Sequence, residues 1–159
     1  MEIVYRSLDN VNNLFEVSLN LASSIEILKG PSSARFGGNA LHGAINIETL
    51  RVDGTNYLKT EINNEESFKS TFQYQESKNW TLGISLGSNK GFRDDSGYDE
   101  QKLAFKSFNT INEWQATTYL NLTNLNQETS GYASSYISSL REGNANPEAY
   151  RDAKSFRIN

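Results

Sequence analysis

Cysteine is absent from the 159 residues, which removes any disulfide framework and any thiolate metal centre. The single histidine, His42, cannot make a zinc site by itself and reads as a packed residue. Basic charge is also scarce. A net charge of -4 and a pI near 5.1 argue against a nucleic-acid partner, because neutralising phosphates calls for a basic surface. No run approaches the roughly 18 consecutive apolar residues of a membrane-spanning helix. That excludes a helical membrane protein only, since a membrane barrel hides its lipid face in alternate positions. The opening "MEIVYRSLDNVNNLF" has neither a basic n-region nor an apolar h-region, so no secretory signal is visible at Met1. The length gives room for one ordinary domain, yet a hydrophobic fraction of 36% and a mean hydropathy of -0.61 are polar for a packed globule.

What the chain does have is alternation. In "SFKSTFQYQ", Phe68, Phe72 and Tyr74 share one parity with Ser70, and Lys69, Thr71, Gln73 and Gln75 take the other. "WTLGISLGSN" opposes Trp80, Leu82, Ile84 and Leu86 to Thr81, Gly83, Ser85 and Gly87. "EWQATTYLNLTN" sets Trp114, Ala116, Leu120 and Leu122 against Glu113, Gln115, Asn121 and Thr123. Leu58, Thr60 and Ile62 in "NYLKTEIN", and Leu103 with Phe105 in "QKLAFKSF", give two weaker copies, so five strands are expected. The connections "NNEE", "SKN" and "TIN" are short, "KGFRDDSGYDE" is longer, and a still longer stretch over residues 127–155 follows the fifth strand. Short turns at one end and long loops at the other suit an outer-membrane barrel, while a soluble antiparallel meander with one wet face produces the same alternation.

Chemistry-bearing motifs are few. "DDSGYDE" holds carboxylates without the D-x-D-x-D-G spacing of a calcium loop, and "GPSSARFGGN" lacks the Lys-Ser or Lys-Thr of a P-loop. Glu26 has no second carboxylate or nucleophile beside it. No catalytic, cofactor-binding or metal-binding residue is expected, and an enzyme is the least supported class.

Residues 25–46, "IEILKGPSSARFGGNALHGAIN", read as strand, hard turn, small-residue loop and strand, with Pro31 fixing its own φ and pushing Gly30 toward an extended shape. This stretch resembles the end of the plug domain of TonB-dependent outer-membrane receptors, in which I-E-x-[IVL]-[RK]-G-P-x-S-A-x-[YF]-G precedes a small-residue loop and a G-x-I-N strand. Glu26, Lys29, Gly30, Pro31, Ser33, Ala34, Phe36, Gly37, Asn39, Gly43 and Asn46 fall on that pattern, together with Ile25, Leu28, Ala40 and Ile45. The resemblance implies a mainly β chain: the C-terminal part of a plug over residues 1–49, a hinge over 50–54, and over 55–159 the first strands of an antiparallel membrane β-barrel. A complete barrel of this kind has about 22 strands, so the chain is expected to be an internal piece of a receptor.

The implied function is energised uptake of a scarce nutrient, such as a ferric siderophore or cobalamin, across the outer membrane of a Gram-negative bacterium. Its implied partners are outer-membrane lipid, the periplasmic energy-coupling protein TonB and an extracellular nutrient ligand. A structural or adhesive outer-membrane barrel, and a soluble β-domain that binds carbohydrate or protein, remain open alternatives. If "SKN" and "TIN" are both turns at one end of the wall, Tyr74, Trp80 and Trp114 lie at nearly one level and form a membrane-interface girdle. The plug tail is then expected on the polar parity, near Lys69, Thr71, Gln73, Thr81, Ser85 and Gln115. The connections "NNEE", "KGFRDDSGYDE" and residues 127–155 should face outward, while "SKN" and "TIN" face the periplasm.

Overall fold

The computed structural model describes residues 16–31, 42–50, 55–64, 66–76, 79–91, 95–129 and 149–158. Two antiparallel sheets account for most of them. Strands β1 (Ala22–Lys29) and β2 (Gly43–Thr49) form a hairpin preceded by a 3-10 turn at Leu19–Leu21. The other six strands, β3 (Tyr57–Asn63), β4 (Ser67–Glu76), β5 (Trp80–Asn89), β6 (Tyr98–Ile111), β7 (Trp114–Glu128) and β8 (Tyr150–Ile158), make a meander in which each strand pairs antiparallel with the next.

The sheet therefore has six strands where the alternation pointed to five. Strand β8 begins within the stretch read as a long loop and runs three residues past it. Its sequence "YRDAKSFRI" places Asp152 and Lys154 on the same parity as Phe156 and Ile158, so no oily face is visible, and pairing with β7 settles its conformation instead. The turn expected at "TIN" also moves. Strand β6 continues to Ile111, and Asn112 and Glu113 make a two-residue turn closed by the Ile111–Trp114 pair. Asn112 carries the positive φ of 56° that such a turn needs and that asparagine tolerates.

The faces of this sheet are inverted relative to a water-soluble β-layer. Gln73 is 1% exposed and Thr81 fully buried, whereas Leu58 is 71% and Phe156 66% exposed. Following the ladder across the apolar face, one row runs Leu58, Phe72, Ile84, Leu103, Leu122, Phe156 without a polar interruption. The next row runs Tyr74, Leu82, Phe105, Leu120, Ile158. One step toward the longer connections the row turns polar, with Thr60, Ser70, Gln101, Asn124 and Lys154 around Leu86.

The apolar band crosses the strands obliquely. On β3 it is centred on Thr60, which lies in the row of Leu86, while on β7 it is centred on Thr118, which lies in the row of Trp80. Leu86 and Trp80 are six residues apart on β5, about 20 Å of strand, and four strand spacings separate β3 from β7, about 19 Å. The band is thus inclined by about 45° to the strands, close to the strand tilt of a membrane barrel wall.

Among the described residues the sheet does not close. β3 and β8 stand at its two edges, each with one side of its backbone unpaired and an oily face beside it. Such edges recruit other strands. Expressed by itself in the cytoplasm, the chain is expected to accumulate in inclusion bodies. A monomer that stays in detergent-free buffer and melts cooperatively would refute a wall-like role for this sheet.

Candidate functional site

The polar face of the sheet is covered by the segment that precedes and follows the hairpin. Local bonds shape that segment: Leu21 N donates to Ser18 O at 3.1 Å, and Leu50 N donates to Leu21 O at 2.9 Å, tying the end of β2 back to the turn before β1. Leu50 takes a φ of 64°, an unusual backbone for a leucine, and its side chain is buried with Leu21 against Ala104. The receiving depression exists because Gly83 and Ala104 are neighbours in one row. A Cβ at Gly83 would lie 2.8 Å from Leu21 Cδ2 and clash with Leu50 Cδ2. Glycine at this position is therefore the socket for two leucines.

Around that apolar contact the interface is polar and charged. Asn20 Nδ2 donates to Ser85 Oγ at 3.0 Å and reaches Glu100 Oε1 at 3.5 Å. Lys102 Nζ donates to Val17 O at 3.0 Å and pairs with Glu100 Oε2 at 2.9 Å. Lys106 Nζ lies 3.6 Å from Glu48 Oε1 and 5.1 Å from the ring centres of both Phe108 and Tyr119. Arg157 Nη2 meets Glu16 Oε2 at 2.6 Å. Lys102 and Lys106 are 8% and 3% exposed. A lysine so deeply buried is stable only while its ammonium has partners, because desolvating an unpaired charge costs several kcal/mol or more. Ser18 Oγ, Asn46 Oδ1 and Asn121 Nδ2 are buried in or beside this region with no hydrogen-bond partner among the described residues, a pattern that ordered water can complete.

Of the motif residues named from the sequence, Glu26 and Asn46 face each other across the hairpin, and Lys29 stands opposite Gly43 at the end of its ladder. Gly30 N donates to His42 O at 3.1 Å, with Pro31 next in the chain. At Gly43 a Cβ would sit 2.5 Å from Leu28 O, so no larger residue fits there. Glu26 and Lys29 are exposed. His42 is exposed, not packed. Ser33, Ala34, Phe36, Gly37 and Asn39, residues 51–54 of the expected hinge, and most of the connection between β7 and β8 lie outside the described residues.

On the sheet, Thr71, Gln73, Thr81 and Ser85 are buried beneath the segment, Lys69 is half-buried and Gln115 is exposed. Tyr74 and Trp80 are brought together with ring centres 5.6 Å apart, and Phe105 joins them 6.0 Å from Trp80. Trp80 Nε1 donates to Glu76 Oε2 at 2.7 Å. Trp114 is on the same face but four residues along β7 from Thr118, the residue in the row of Trp80. That displacement follows the incline of the apolar band, so the three aromatic residues border one oblique edge of it.

The residues that hold the two parts together, Asn20, Leu21, Glu48, Leu50, Lys102 and Lys106, were not singled out from the sequence. A signal was present for two of them. Lys102 and Lys106 sit on the wet parity of β6, whose dry parity carries Leu103 and Phe105. Searches against protein families, curated proteins and solved structures returned no match to this chain.

Proposed function

We propose that the chain is part of a TonB-dependent outer-membrane receptor, with the six-strand sheet as an arc of barrel wall and residues 1–49 as the C-terminal part of the plug. One observation carries this reading: two unbroken apolar rows face outward across the sheet while its polar face is covered by the N-terminal segment. An outward apolar surface of this extent has no stable place in water, and the oblique band is what tilted strands present to a bilayer. On β7 the apolar positions run over residues 114–122, in keeping with the roughly 9–11 residues that a tilted strand needs to cross a membrane. The plug-like sequence at residues 25–46 favours a stoppered receptor over a simple adhesive barrel.

In this reading the wall contacts outer-membrane lipid, an extracellular nutrient such as a ferric siderophore or cobalamin binds above it, and TonB in the periplasm drives displacement of the plug. This chain contributes no covalent chemistry. Its part is to hold the plug tail partly by hydrogen bonds and ion pairs, arranged around the Leu21 and Leu50 contact, that water can replace when the tail moves.

Cysteine labelling tests the topology, and the absence of native cysteine makes it clean. In intact Gram-negative cells, a membrane-impermeant maleimide is expected to reach Asp95→Cys, in the connection between β5 and β6. Asn109→Cys, near the opposite end of β6, should react only after the outer membrane is permeabilised. The reverse pattern would overturn the orientation, and equal labelling in a soluble fraction would overturn the membrane assignment.

A further inference from the structure

The cations on the covered face share one feature. Lys102, Lys106 and Arg157 lie close together on the polar side of β6 and β8, and each reaches a group of the N-terminal segment: Val17 O, Glu48 and Glu16 respectively. Two of the three are almost fully buried by that segment. In the ladder, Arg157 pairs with Asn121, which pairs with Ala104, the residue midway between Lys102 and Lys106 on the same parity of β6. Glu100 is the carboxylate beside them, and it engages Lys102 and Asn20. Among the described residues, Lys102, Lys106, Arg157 and Glu100 are the charged groups of this strip that stay on the wall when the segment leaves, and Thr81, Ser85 and Thr123 line the same face.

We infer that the N-terminal segment masks an anion-binding strip on the inner wall, formed by Lys102, Lys106 and Arg157, whose ligand is a solute carrying two or more carboxylate or similar oxyanion groups. The inference rests on the proposed plug–wall relation and adds a site to it. Carboxylate Glu48, carboxylate Glu16 and carbonyl Val17 O occupy the strip in the docked state much as a multivalent anion would occupy it in the undocked state. The two occupants exclude each other. Binding free energies are reciprocal, so if undocking creates the site, an anion that fits the site must promote undocking. A masked strip of this kind gives an anionic cargo a place to bind at the moment its path opens.

Citrate is a suitable probe, compared with chloride at matched ionic strength to separate binding from screening. Spin labels at Ile27→Cys on the hairpin and Asn109→Cys on β6, both exposed positions, report docking through their separation in the full chain embedded in lipid vesicles. The expected result is a short, defined separation without citrate and a progressive loss of it as citrate is added, with chloride much weaker. The Glu48→Gln variant, which weakens the masking group and leaves the strip intact, should need about tenfold less citrate. The Lys102→Gln, Lys106→Gln double variant should lose the difference between citrate and chloride. A docked hairpin that citrate releases no better than chloride would overturn the masked strip and leave the plug–wall reading standing. A broad separation in the absence of any added anion would overturn both.

Discussion

Replacing Gly83 by valine is expected to detach residues 16–21 and 50 from the sheet while leaving the ladder of β3 to β8 paired. The reason is spatial. Even the first carbon of a side chain at this position falls 2.8 Å from Leu21 Cδ2 and 3.1 Å from Leu21 Cδ1, and it clashes with Leu50. The atoms in the way are the ends of two leucine side chains, so they move aside only by leaving the depression, while the backbone bond from Leu50 N to Leu21 O keeps the two residues linked as they do so. Overpacking of this sort costs about 1–3 kcal/mol when the neighbours stay in place. Moving them out instead forfeits the burial of two leucines, about 1.5–3 kcal/mol each. Both routes weaken the same contact, and the polar bonds around it have water as a competitor. Protease cleavage within residues 16–50 should therefore rise by about tenfold or more, while amide protection across β5, β6 and β7 stays at its original level. Unchanged cleavage in a folded Gly83→Val protein would show that the leucine socket does not hold the segment.

That socket shows where sequence reading reaches its limit. The parity of β4 and β5 was legible, because Phe72 and Tyr74 against Thr71 and Gln73, and Leu82 and Ile84 against Thr81 and Ser85, state which residues share a face. Period-two patterning does not tell which face water sees, and here the polar face is the covered one. Strand β8 was hidden for a related reason: its charges lie on both parities, so only the hydrogen bonds offered by β7 define it. The leucine contact joins residues more than 30 positions apart, and nothing near Leu21 or Leu50 marks them as partners of Gly83. The glycines at 83 and 87, on the wet parity of an otherwise well-formed strand, were the available clue, since an interior glycine often marks a close approach by another part of the chain.

An arginine in place of Leu120 is expected to be among the most damaging surface substitutions in the chain, and the sign of its effect separates the membrane reading from a soluble one. Leu120 lies in the row of Tyr74, Leu82, Phe105 and Ile158, near the middle of the apolar band on the outer face. In a bilayer, a cation on the lipid side at mid-depth costs about 2–4 kcal/mol, roughly 30-fold or more in the folded-to-unfolded ratio. Thr117 is three residues away on the opposite, polar face and is half-buried. Arginine there points toward the polar interior, where its charge can be hydrated or paired, and should change stability far less. Urea titrations of vesicle-embedded protein are thus expected to show a large loss for Leu120→Arg and a small change for Thr117→Arg. If the outer face met water, the ranking would invert, because Leu120→Arg would break up an exposed apolar patch and improve solubility at little cost. Equal or inverted effects of the two variants would therefore remove the bilayer from the account of this sheet, and with it the receptor-wall reading.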